Sequence, residues 1–187
     1  MTLFEYLAIA FSLLFSFSGM RLVGGLPHAV QRSRRYWIHL SFVGIQLFGT
    51  VLAFWLFWSF RTVAWNFPTF LLVLVSPGLI YYNACTLIPE NPSAVESWHD
   101  YYYSVRRRYF IGLSCWILAV AAISTVVLDM PLLHPVRGAH AAFLAAGVVG
   151  AVSASPRVHA SLVMFFLLAL LLTVATFAFR PGSLTLP

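Results

Sequence analysis

The chain has 187 residues, 61% hydrophobic and only 9% charged, with a formal net charge of +6. A water-surrounded domain carries about 25% charged residues, so this composition excludes a soluble globular protein and makes lipid the solvent. The basic balance comes from arginine alone, with no lysine. Because the arginines flank apolar runs, they read as membrane-orienting charge, and no nucleic-acid partner is expected.

Apolar runs broken by Pro, Gly and charge predict an all-α bundle of about six transmembrane helices forming a single domain, residues 1–187. A hydrocarbon core of about 30 Å takes about 20 helical residues to cross. The first span runs from about Leu3 to Val23 and stops at Gly24-Gly25-Leu26-Pro27. It has no positive leader and no A-x-A site, so it is expected to be a retained helix. Ser12, Ser16 and Gly19 share a face with Glu5 and Ala8, a small-residue spacing that predicts a helix-packing seam.

The second span, about Trp37 to Phe60, carries His39, Gln46, Thr50 and Ala53 on one stripe. An uncompensated amide at mid-depth is disfavoured, so Gln46 must face another helix or a wet cavity. Interhelical hydrogen bonding and the lining of a path both fit. The third span, about Phe67 to Leu87, holds Ser76-Pro77-Gly78 at mid-membrane. Pro77 removes a helical hydrogen bond, which predicts a kink or a short unwound segment. Such breaks build sites in transporters and also occur as plain bends. Asn83, with Tyr81, Tyr82 and Thr86, follows toward the next loop.

In the long third-to-fourth connection, Ser93 and Glu96 form a capping-box pattern. Val95, Trp98, Tyr102, Val105 and Tyr109 then recur at spacings of three and four. This predicts an amphipathic interfacial helix over about 94–105, the alternative being an extension of the fourth span. That span covers about Tyr109 to Leu128. The fifth, about Ala139 to Ala154, is rich in small residues including Ala146, Gly147 and Gly150, which predicts tight packing on a neighbour or a subunit interface. The sixth runs from about Val158 to Phe179.

Arginine placement sets the orientation. Arg21, Arg32, Arg34, Arg35, Arg106, Arg107, Arg108 and Arg157 fall on one side, against Arg61, Arg137 and Arg180 on the other. The positive-inside bias puts the first group in the cytoplasm and both termini on the non-cytoplasmic side. Arg32, Arg34, Arg35, Arg106, Arg107 and Arg108 form a rim expected to meet anionic lipid headgroups.

Catalytic and metal chemistry find little to work with. Cys85 and Cys115 sit singly in apolar spans, and the six His show no HxxxH or HExxH spacing, though His39 and His159 lie at similar depth. No Ser/His/Asp set, paired in-membrane carboxylates or phosphate loop is visible. The expectation is no metal, no cofactor and no enzyme. Phe4-Glu5-Tyr6, Arg35-Tyr36-Trp37, Trp55-Leu56-Phe57-Trp58, Asp100-Tyr101-Tyr102, Arg106-Arg107-Arg108-Tyr109-Phe110 and Arg157-Val158-His159 together resemble a group of small bacterial multi-pass membrane proteins. The resemblance implies an inner-membrane bundle and no particular activity. The function expected is a channel or transporter-like protein for an ion or small solute, working as a homo-oligomer. Its path would be lined by His39, Gln46, Thr50, Ser76, Pro77, Gly78 and Asn83. The alternative is a non-transporting binding or signalling module that senses lipid or a membrane partner.

Overall fold

Capping chemistry and the tolerance of helix ends for proline decide where each helix starts and stops. The computed structural model describes residues 3–178. Six helices are seen there: α1 (Leu3–Ala29), α2 (Trp37–Leu56), α3 (Phe67–Leu87), α4 (Trp98–Val126), α5 (Val136–Val152) and α6 (Pro156–Thr173). No strand occurs among the described residues. A four-residue 3₁₀ turn continues α2 to Phe60, and a π turn, Val174–Ala178, continues α6. Phe179, the expected end of the sixth span, lies outside the described residues, as does Arg180.

Three boundaries differ from the sequence expectation. First, α1 runs through Gly24, Gly25 and Pro27 to Ala29. Pro27 sits in the last turn, where it forfeits one bond to the Val23 carbonyl, and the bare face of Gly25 is filled by the Ile88 side chain. Second, α3 is continuous through Pro77, with no unwound segment. Third, residues 94–105 do not form a separate interfacial helix; of the two readings left open, the extension of the fourth span is the one seen. The Ser93 hydroxyl bonds Asn91 Oδ1 at 2.5 Å instead of capping a helix, and Ser97 Oγ accepts from the Asp100 amide at 3.3 Å. From that cap α4 runs unbroken to Val126, and its aromatic face, Trp98, Tyr102 and Tyr109, is buried inside the protein. At the other end of the bundle, Asn66 Oδ1 accepts from Thr69 N at 2.9 Å while Asn66 N donates to Thr69 Oγ1 at 3.1 Å, a reciprocal cap that starts α3.

Five helices are long and apolar enough to cross a membrane. The sixth, α5, has 17 residues, about 25 Å at helical rise. Successive helices alternate in direction. Phe4 and Phe15 of α1 meet Phe57 and Phe54 of the second segment, whereas Phe11 and Phe17 meet Phe70 and Tyr81 of α3. Around the bundle the order is α2, α1, α3, α4, α5, with α6 lying between α5 and α2. The outward faces carry large apolar side chains such as Leu13, Val51, Leu118 and Leu168, as lipid contact requires. This is a helical integral membrane protein.

Without a hydrophobic drive between helices in lipid, close backbone approach holds the seams. A Cβ on Gly147 would strike Ser114 Oγ, and one on Gly150 would come within 2.5 Å of the Phe110 ring, so the small-residue face of α5 is its seam with α4. Gly150→Leu is expected to cost about 1–3 kcal/mol by overpacking. Val149→Leu, which points outward, should stay within about 0.5 kcal/mol. Unfolding in dodecyl maltoside checks both.

Candidate binding cavity

Two buried clusters fill the bundle, one at each end. Leu22, Phe42, Trp98, Tyr102, Phe110 and Val163 belong to the cluster at the arginine-rich end. Leu7, Phe11, Phe57, Val73, Ile123 and Val127 belong to the other. Between them and reaching toward the second end lies a partly open cavity of about 340 Å³ to which all six helices contribute. Its walls are mainly apolar, and among the described residues no Asp, Glu or Arg lines it. This is within the size range and composition of small-molecule sites.

The polar groups of the cavity are few and placed at three depths. At the floor stand Gln46 of α2, Asn83 of α3 and Tyr109 of α4. The Tyr109 hydroxyl donates to Gln46 Oε1 at 3.3 Å. Asn83 is 1% exposed, and its Oδ1 has no hydrogen-bond partner. That oxygen is pressed against Gly112, where any Cβ would collide with it. Halfway up, Trp116 Nε1 donates to Ser76 Oγ at 3.0 Å. Pro77 cannot bond the carbonyl of Val73, and both residues line the wall. At the mouth are Ser124, His140 and Thr173, with His140 Nδ1 unpartnered.

Below the floor the way to the arginine-rich end is closed by aromatic rings. Phe42 stacks on Tyr102 at 5.9 Å and meets Phe110 at 5.4 Å and Phe166 at 6.0 Å. Beneath that plug, His159 Nε2 lies 2.9 Å from the Ser153 carbonyl, and Nδ1 lies 2.7 Å from the Tyr102 hydroxyl. A carbonyl only accepts, so Nε2 carries the proton and Tyr102 donates to Nδ1. His39 is fully buried, stacks on Trp98 at 4.8 Å, and has no partner for either ring nitrogen. Both imidazoles meet the Tyr102 ring edge-on, and both nitrogens of His159 are engaged.

Comparison with protein-family models, curated proteins and solved structures finds no match to this chain.

Of the residues singled out by sequence as lining a path, Gln46, Ser76, Pro77 and Asn83 meet at the cavity. His39 lies beneath the plug, Gly78 is exposed on the outer face of α3, and Thr50 Oγ1 bonds back to the Gln46 carbonyl at 2.7 Å. On α1 the inward face is Leu7, Phe11, Phe15, Ser18 and Leu22. Ser16 is exposed, Ser12 Oγ bonds Ile9 O within its own helix, and a Cβ on Gly19 would meet nothing. The stripe of Ser12, Ser16 and Gly19 therefore takes no part in a seam within the chain.

The arginine rim divides into pinned and free members. Arg34 Nη1 donates to the Ser93 and Val95 carbonyls at 3.0 and 3.1 Å. Arg106 Nε donates to Ser153 O at 3.0 Å and Nη1 to Tyr103 O at 2.6 Å. Arg32, Arg35, Arg107, Arg108 and Arg157 are exposed. Just outside α2, burial and then the Tyr103 hydroxyl 3.1 Å away hold the Tyr36 phenol above its ordinary pKa.

At the opposite end Arg137 places all its N–H groups on neutral oxygens: Pro131 O, Ala121 O, Ser124 Oγ, Thr125 Oγ1 and Met130 O, at 2.7–3.4 Å. It caps the carbonyl end of α4, where a cation is favoured. The sequence places Tyr109 on a helix face and Arg137 among the orienting arginines without marking either as a site residue, and gives no sign of Gly112 or Trp116. The one signal available was that Tyr109 follows Tyr102 by seven residues on the same helix face.

Proposed function

We propose that this protein is a transporter-like carrier of a bacterial inner membrane, taking a small neutral solute from the non-cytoplasmic side. The observation that carries this reading is the shape of the cavity. It extends from mid-depth toward the arginine-poor end, and an aromatic plug lies between its floor and the arginine-rich end. The positive-inside bias assigns the arginine-rich end to the cytoplasm. An ion path needs rings of carbonyls or charges, whereas the described residues of these walls include no Asp, Glu or Arg and are mostly apolar, so a neutral solute is favoured. One chain supplies every wall of the cavity, and the reading needs no second copy. The exposed arginines Arg32, Arg35, Arg107 and Arg108 would rest among anionic headgroups. This reading assigns the protein no catalysis.

The second reading is a binding module without transport, favoured by the close packing of the plug. The two separate by alternating access. Gln46→Cys, in a background with Cys85→Ser and Cys115→Ala, places a single thiol at the floor. A membrane-impermeant thiosulfonate should label it from the arginine-poor side and, more slowly, from the arginine-rich side of sealed vesicles. Labelling confined to the arginine-poor side would leave a binding module and remove the carrier.

A further inference from the structure

Resting on the reading of the cavity as a ligand site, we propose that its floor recognises the oxygen of a neutral carbonyl group. The ligand would be a ketone, ester, amide or quinone with an apolar body. Gln46 and Asn83 are 8% and 1% exposed, and both contribute to the cavity surface. An amide offers one acceptor and one donor group, and here the neighbours decide which is left for the ligand. Gln46 Oε1 is taken by the Tyr109 hydroxyl, which leaves Nε2. Asn83 Oδ1 is turned into α4 against the bare face of Gly112, which leaves Nδ2. Tyr109 cannot offer its proton because it is directed to Gln46.

The floor thus holds two N–H₂ groups from different helices that no protein acceptor engages, and this matches the two lone pairs of one carbonyl oxygen. Above the floor, Phe11, Phe57, Val73, Leu113 and Phe166 provide apolar contact for the remainder. A carboxylate would enter a cavity with no arginine among the described residues of its wall, where an unpaired charge is strongly disfavoured. An ammonium would meet no carboxylate among the described residues of the wall and would be disfavoured in the same way. A plain hydrocarbon would leave both amide groups unsatisfied, which loses affinity beyond the missing bonds.

The test uses the full chain in dodecyl maltoside micelles, which contain no carbonyl group. Methyl nonyl ketone, undecane and decanoate are compared by equilibrium binding corrected for empty micelles. The ketone should bind roughly tenfold more tightly than undecane, the size of effect expected from two neutral hydrogen bonds. Decanoate should not displace it. In the paired variant Gln46→Met with Asn83→Leu, ketone affinity should fall to that of undecane while undecane binding persists. A second readout needs no variant: the carbonyl stretch of the ketone should move to lower frequency when it binds the unaltered protein. Equal binding of ketone and undecane, or an unshifted stretch, overturns the inference. Absence of binding by either overturns both it and the cavity as a site. Ketone preference with one-sided thiol labelling removes only the carrier.

Discussion

Replacing Trp98 by alanine is expected to lower the unfolding free energy by about 3–5 kcal/mol, the range for truncating a large buried aromatic. Trp98 is fully buried where three chain segments meet at the arginine-rich end. Its ring stacks on His39 at 4.8 Å and meets Tyr101 at 5.5 Å. Its Nε1 donates to the His28 carbonyl at the end of α1, at 3.0 Å, and its backbone amide donates to Arg34 O at 3.2 Å. Alanine keeps the backbone bond and loses the rest, so α1, α2 and α4 lose a common anchor. Trp98→Phe retains most of the stacking and leaves the His28 carbonyl without its donor, which should cost only about 1–2 kcal/mol. Unfolding in dodecyl maltoside, followed by circular dichroism, orders the three proteins. A loss below about 1 kcal/mol for Trp98→Ala would mean that the junction can collapse around the void.

That junction shows what sequence could and could not reveal. The spacing of Trp98, Tyr102 and Tyr109 is legible as one helix face, but pattern alone does not say whether that face meets a headgroup layer or other helices. Three arginines at 106–108 read as a boundary. In the fold Arg106 turns back onto the carbonyls of Ser153 and Tyr103, so the helix passes through them. Likewise Gly24, Gly25 and Pro27 read as a stop, yet Gly25 is required small by Ile88, a contact 63 residues away in sequence. Gln46 and Asn83 were legible as site candidates because an amide within an apolar span needs a partner. Tyr109 and Trp116 were not, because an aromatic residue in a span reads as ordinary packing. Only the folded chain shows that their polar atoms bond Gln46 and Ser76.

The second large effect is expected at the contact that ties α6 to α4. His159 and Tyr102 are both 0% exposed, and their 2.7 Å hydrogen bond is surrounded by Phe110, Tyr103 and Phe42. His159→Leu fills most of the volume, so its cost isolates the polar contact. The Ser153 carbonyl retains a donor in Arg106 Nε at 3.0 Å, which leaves the Tyr102 hydroxyl as the orphaned group. Leaving one buried polar group unsatisfied costs about 1–3 kcal/mol. Tyr102→Phe is expected to cost the same by orphaning His159 Nδ1. The double replacement removes both partners and should cost less than the sum, by about 1–2 kcal/mol. This coupling would lie at the upper end of values found between membrane helices, which average about 0.6 kcal/mol, because here no lipid or water can reach either atom. Additivity within about 0.3 kcal/mol would show that the two groups find other partners. The same pair lies directly beneath the plug, so either single replacement should also speed labelling of the floor thiol from the arginine-rich side. A destabilised protein with unchanged labelling would make the contact a fastener of the bundle and no part of a gate.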